Sequence, residues 1–236
     1  MGNDAAMLDI VSSANIACGF HAGGPEEIRK TIRLCLEKNV AIGAHPSFDD
    51  LKGFGRRRLP IPDLGVLEVQ LIYQIGAFLG IAKTESADVS HIKIHGALSN
   101  MACEDRALAD CCVGAFRKIA PEIPVLAQAV TPLQDAAEAT GPLIREVFAD
   151  REYNADGTLV ARGLPGAVIH DADRAADRVL VMIENKSITA IDGQVFSVEP
   201  QSICVHGDNP TAVAMAAQIR QTLESADIAV IAPSKS

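Results

Sequence analysis

The sequence predicts an α/β fold, a TIM-like (β/α) barrel of about seven parallel strands alternating with covering helices. Three observations carry that reading. Short apolar segments alternate with longer amphipathic ones along 236 residues, a length that one barrel or layered α/β domain fills. Repeated strand–helix units imply parallel pairing through right-handed crossovers. The composition, 48% hydrophobic with no Trp and 4% aromatic, suits helices packed closely on a sheet.

The first strand is expected at 15–21 (NIACGFH) and the first helix at 25–39. Pro25 at its start, early Glu26 and Glu27 and late Lys38 match helix polarity. Ile28, Ile32, Cys35 and Leu36 lie on one face of it. Further strands are expected at 40–45, 91–95, 124–128, 145–150, 202–206 and 227–232, and helices at 63–84, 104–119, 131–140, 172–185 and 210–225. Residues 186–201 alternate around Asp192-Gly193, the signal of a hairpin insertion. No linker, repeat or low-complexity tract interrupts the pattern, which reads as one domain over 1–236.

The charge balance narrows the partners. A formal net charge of −9 argues against nucleic acid, whose phosphates call for a Lys/Arg surplus. No uninterrupted apolar run reaches the roughly 20 residues of a membrane span. The acidic opening, MGNDAAMLDI, lacks the basic and apolar regions of a signal peptide, so a cytoplasmic setting is expected. The six cysteines form no C-x-x-C pair and read as reduced thiols, most of them buried.

Polar chemistry collects where the strands should end. Those ends carry His21, His45, His95, Asp150 and His206, with Asp208 two residues further on. Sites in parallel α/β folds form at the carboxyl ends of strands. Strand alternation puts Lys93 on the face of His95, Ala17 and Gly19 on that of His21, and Ala41 and Gly43 on that of His45. Such small residues would leave room for a substrate beneath the imidazoles. The set suits proton transfer near neutral pH, with Lys93 stabilising an oxyanion. Alternatively, His21, His45 and His95 would hold a divalent metal. The loop GFGRRR at 53–58 is the one concentrated basic run. Its arginines, Arg56 and Arg57 foremost, can engage carboxylate or phosphate, or else pair with Asp49 and Asp50. There is no Walker-type phosphate loop in the sequence.

Several long motifs give the chain a family likeness: SSANIACGFHAGGPEEI, VAIGAHPSFDDLKGFGRRRL, YQIGA, HIKIHGALSN, EVFADREY, DGTLVARG and SICVHGDNP. In this order they resemble the LamB/YcsF family over essentially the whole chain. The resemblance implies a barrel distantly related to the polysaccharide deacetylases and glycoside hydrolases. It also implies ATP-dependent opening of the lactam 5-oxo-L-proline to L-glutamate, together with the B and C subunits of a 5-oxoprolinase. In that setting His45, Lys93, His95 and Asp150 would do the chemistry. His21, Arg56, Arg57, Arg151, His206 and Asp208 would bind substrate or phosphate, with ATP as co-substrate of the complex. Two alternatives stand beside it: a metal-dependent amide hydrolase or deacetylase without ATP, and a non-catalytic lactam-binding subunit. Family members usually begin with an Asp-Leu-Asn-x-Asp-x-Gly-Glu strand that this sequence does not contain, so the first barrel strand is expected to be missing and the exposed sheet edge to favour a homo-oligomer. Ile94 and Ser99 stand where the family commonly has Pro and Tyr, and Gly24 where it often has Asp.

Overall fold

The apolar segments become strands, most of them shorter than their apolar runs. A computed structural model describes residues 4–61, 63–206 and 211–233. In chain order these form α1 (Asp4–Leu8), β1 (Ser13–Ala17), α2 (Pro25–Glu37), β2 (Ala41–His45), α3 (Leu64–Thr84), β3 (Val89–Ile92), α4 (Gly96–Glu104), α5 (Arg106–Ile119), β4 (Val125–Gln128) and α6 (Pro132–Thr140). There follow β5 (Leu143–Phe148), α7 (Ala172–Glu184), β6 (Ser187–Thr189), β7 (Val195–Ser197), β8 (Ser202–Cys204) and α8 (Ala212–Ser225). The six-stranded sheet has the order β1-β2-β3-β4-β5-β8, and its pairings β1–β2, β2–β3, β3–β4 and β5–β8 are parallel. This is the α/β architecture that the alternation predicts.

The chain packs as two compact units. The larger holds Ser13–Ala127 and Pro132–Ile144; the smaller holds Gln128–Thr131, Arg145–Ile231 and the residues before Ser13. The boundary passes through β4 and β5 rather than through a loop, so no composition shift marks it.

In the larger unit, β1 and β2 pair in register from Ser13 opposite Ala41 to Ala17 opposite His45. Between β2 and β3 the register shifts at Ile42/Gly43. There the buried His91 ring lies against Gly43, where a Cβ would come 2.1 Å from Nε2. The space expected beneath His45 is therefore filled at Gly43 by another imidazole. Helix α3 buries Leu67, Leu71, Gln74, Ile75, Phe78 and Ala82 along one stripe. By length and composition alone it would also suffice to cross a membrane. Here Glu68 pairs with Lys118 of α5 and Gln74 is hydrogen-bonded inside the fold. Leu36, expected on the buried face of α2, is 42% exposed because that stripe stops at Cys35.

Aspartates set several helix starts. Asp63, Asp105 and Asp171 accept backbone N–H groups of Gly65, Leu108 and Arg174, each such cap contributing about 1 kcal/mol. The Asp105 cap divides residues 96–119 into α4 and α5, whereas the sequence suggests one helix from 104.

In the smaller unit, Phe148, Tyr153, Met182 and Ile188 form one apolar cluster. A second joins Ala175 and Val179 of α7 to Met215, Ile219 and Leu223 of α8. Strands β6 and β7 pair antiparallel. The strand expected at 227–232 does not form. Ile228 and Val230 pack against the α7–α8 cluster while Ile231 is 77% exposed, so the alternation reflects docking on helices instead of sheet pairing.

The contact of Gly43 with His91 yields a prediction. Gly43→Ala should destabilise the chain by about 1–3 kcal/mol through overpacking. Adding His91→Ala should recover part of the loss, read as a coupling free energy in urea unfolding of the four-member cycle.

Candidate functional site

Three of the sequence-predicted histidines come together in the larger unit. β1 stops at Ala17, and His21 lies beyond it in a turn closed by Gly19 N–H donating to Ala22 O at 3.1 Å. Gly19 has φ +96° there, so the alternation that placed Ala17 and Gly19 under His21 does not apply. His45 is the last residue of β2. His95 stands past the end of β3, carried alongside β2 by Lys93 N–H to Ala44 O (2.9 Å) and His95 N–H to Pro46 O (2.8 Å). It occupies the extended N-cap position of α4.

A loop is fastened over these rings by close backbone approach. Ala97 N–H donates to Gly55 O at 2.8 Å, and Gly96 lies so near Gly55 that a Cβ would meet its oxygen at 2.4 Å. A Cβ on Gly55 itself, at φ +65°, would come 2.4 Å from Ser47 Oγ, 2.8 Å from His95 Cδ2 and 3.0 Å from His21 Cβ. Only glycine fits that position.

The rings contact one another directly. His21 stacks on His95 with centroids 4.0 Å apart and planes 6° from parallel. His45 meets His95 edgewise at 75°, its Nε2 3.0 Å from His95 Nδ1. The outer nitrogens face carbonyls: His45 Nδ1 lies 2.7 Å from Lys93 O, and His95 Nε2 2.9 Å from Phe54 O. A carbonyl only accepts, so both of these nitrogens carry hydrogen and donate. The Phe54 ring closes the group edge-on to His21 and His95. Burial, with the charge of His95, pushes His21 down to about 3. Burial also holds His45 well below the usual histidine range, with His95, Lys93 and His21 acting in the same direction. His21 and His45 therefore favour their neutral forms. His21 Nδ1 and Ser47 Oγ are buried without a hydrogen-bond partner among the described residues. No group of three or more His, Cys, Asp or Glu able to hold a metal ion occurs among the described residues.

The arginine loop spends much of its charge inside the chain. Arg57 Nε donates to Asp50 Oδ1 at 2.9 Å and Nη2 reaches the same oxygen, a pairing that lowers the pKa of the buried Asp50 carboxyl. Arg58 forms a two-point pair with Glu104 at 2.9 and 2.6 Å. Arg56 extends over the Phe54 ring, 5.3 Å from its centroid. Lys93 is buried, and its charge is felt at both His45 and His91.

A second group lies in the smaller unit. Beyond β5 and β8, Ala149 N–H to Cys204 O (3.2 Å) keeps the two segments together. His206 Nδ1 then lies 3.0 and 2.9 Å from the two oxygens of buried Asp150. Phe148 stacks on the imidazole at 5.8 Å. Next to Asp150, Arg151 is 4% exposed. Its Nη2 donates to Val160 O, and its Nε has no partner among the described residues. Burial pulls its pKa down to about 10. Asp208 falls at 207–210, outside the described residues.

The sequence reading missed Ser47, Phe54, His91 and Gln74. Gln74 is the one that left a signal. It is an amide on an apolar helical stripe, and it brackets Ser47 by accepting from its N–H (3.0 Å) and donating to its carbonyl (2.9 Å). Ser47 and Phe54 act through their backbone or through packing, and the His91 ring meets Ser90 Oγ and Asn15 Oδ1, contacts that no residue pattern announces.

A parallel α/β chain with imidazoles at strand ends in its larger unit and a carboxylate–imidazole pair past strand ends in its smaller one defines a class of strand-end-site proteins, and the comparisons place it further. The LamB/YcsF family model matches residues 1–236, and the chain belongs to that family. It is 45% identical over 233 residues to the A-type subunit of 5-oxoprolinase from Rhodopseudomonas palustris, covering 98% of this chain and 91% of that one. With an A-type subunit of 5-oxoprolinase from Pseudomonas syringae pv. tomato it shares 48% identity over 227 residues, or 96% and 88% of the two chains. The crystal structure of a lactam utilization protein from Thermus thermophilus superposes with a TM-score of 0.91 at 36% identity, covering 98% of this chain and 93% of that one.

The depressed His21 pKa has a thermodynamic consequence. Between about 6.5 and 3 the unfolded chain binds a proton at His21 that the folded chain does not, so stability falls as pH falls through that window. His21→Gln removes this proton uptake, and denaturant unfolding between pH 7 and 4 should show a shallower loss of stability than in the unsubstituted chain.

Proposed function

We propose that the chain is the A-type subunit of an ATP-dependent 5-oxoprolinase, opening 5-oxo-L-proline to L-glutamate together with B and C subunits. The names of its relatives support this reading, and the Asp150–His206 pair carries it. A lactam resists hydrolysis because amide resonance must be broken and a five-membered ring tends to re-close. Water must be deprotonated as it attacks the carbonyl carbon, the C–N bond must break, and the departing nitrogen must gain a proton. Coupling to ATP, by phosphorylation of the lactam oxygen, would make that carbon electrophilic and the overall opening favourable.

Asp150 accepts the Nδ1–H of His206, which fixes the tautomer and leaves Nε2 with the lone pair. An imidazole so held is suited to take a proton from water and return it to the leaving nitrogen. The sequence suggested chemistry for Asp150 and binding for His206; this geometry favours His206 as the base and Asp150 as its positioning group. Arg151 beside them offers a buried cation with an uncommitted Nε, suited to a carboxylate or phosphoryl oxygen.

The test is glutamate release by the assembled complex with ATP. Asp150→Asn and His206→Gln should each lower turnover by about 100-fold or more, while assembly on size exclusion is unchanged. Unaltered turnover in both variants would overturn the assignment of the base, and release of glutamate without ATP would overturn the coupling.

A further inference from the structure

Helix α3 carries an exposed face that mirrors itself about its centre. From Val66 to Lys83 the exposed positions are Val66, Val69, Tyr73, Ala77, Gly80 and Lys83, and Asp63 at the N-cap is exposed as well. Helical periodicity collects the five from Val66 to Gly80 into one stripe about 21 Å long. The larger side chains, Val66 (55% exposed) and Val69 (65%), occupy its N-terminal half, and the small residues, Ala77 and Gly80, its C-terminal half. Tyr73, 64% exposed, stands at the middle. Val69 and Ala77 lie four residues from Tyr73, Val66 and Gly80 seven, and Asp63 and Lys83 ten. The stripe carries no charge between its ends, because Glu68 lies off it and pairs with Lys118.

We propose that this face of α3 packs against the same face of a second copy of the chain, antiparallel about a two-fold axis at Tyr73. A two-fold contact is self-complementary, so each residue is met in return by the one it meets. About Tyr73 that rule sets Val69 against Ala77 of the second copy and Val66 against its Gly80, a large side chain over a small one each time. A Cβ on Gly80 would meet nothing within 4 Å, so the space above it is open to an incoming valine. The two Tyr73 rings meet at the axis, each backed by Phe20, whose ring centroid lies 5.7 Å away. At both ends the acid Asp63 of one copy comes level with the base Lys83 of the other, and antiparallel helix dipoles attract.

A different partner would call for an apolar surface but not for this symmetry, so the pattern selects a second copy. The face is also separate from the sheet edge at β1, where unpaired strand backbone rather than side chains would make the contact.

The proposal does not rest on the 5-oxoprolinase reading, since it is tested on the isolated chain without ATP or other subunits. Sedimentation velocity should show a concentration-dependent equilibrium between monomer and dimer. Val69→Asp, which buries an unpaired carboxylate against Ala77, should weaken the dimer by about 100-fold or more. Its circular-dichroism melting curve as a monomer should be unchanged, because Val69 is exposed in the single chain. Register is read by mild oxidation and mass spectrometry. Val69→Cys mixed with Ala77→Cys should give a disulfide joining positions 69 and 77. Neither variant alone should join to itself, because like positions lie about 12 Å apart along the pair. A chain that stays monomeric, as it would if the stripe receives a different subunit, would overturn the proposal. So would a dimer that Val69→Asp leaves intact, or disulfides joining like positions but not 69 to 77.

Discussion

The contact of Gly55 with Gly96 is the constraint on which the histidine cluster depends. Two backbones touch with no side chain between them, joined by the Ala97 N–H to Gly55 O hydrogen bond. Through this contact the loop after β2 is fixed to the start of α4. The same loop supplies the Phe54 carbonyl that orients His95, the Phe54 ring that closes over His21, and the space beside Ser47. Asp50 reinforces it by capping Gly53 N–H and holding Arg57. The orientation of the His95 ring thus depends on a loop as well as on the strand-end backbone that carries it, while Lys93 O orients His45.

Burial and charge work together around this arrangement. An acidic chain places its few buried bases where the imidazoles are neutral and the lysine beside them opposes their protonation. In the smaller unit the opposite choice is made, with a buried carboxylate directly on an imidazole and a buried guanidinium next in sequence. Both groups come from residues at or just past strand ends.

The class of fold was legible because periodicity and strand–helix alternation are properties of sequence. The location of His21, His45, His95, Asp150 and His206 at or past strand ends was legible for the same reason. What was not legible has physical causes. A single Gly at positive φ in the turn after β1 undoes the alternation that a strand would impose on His21. A register shift at Gly43 turns an apparent hollow into the seat of His91. One capping aspartate, Asp105, splits a helical stretch in two. At 227–232 an alternating pattern lies against helices, and nothing in alternation itself says which surface it will meet.

Gln74 has a consequence for how α3 is held. The helix is apolar nearly all round, with Val66, Val69 and Tyr73 exposed while Leu67, Leu71 and Ile75 are buried. Apolar attraction is non-directional, so it would accept such a cylinder at several angles. The side-chain amide of Gln74 imitates a peptide group, giving Ser47 the paired acceptor and donor that a neighbouring strand would give. Rotate the helix by one residue, about 100°, and both bonds are lost in a dry interior. One polar atom pair thereby sets the rotational phase of 21 residues, much as a key fixes a wheel on its shaft.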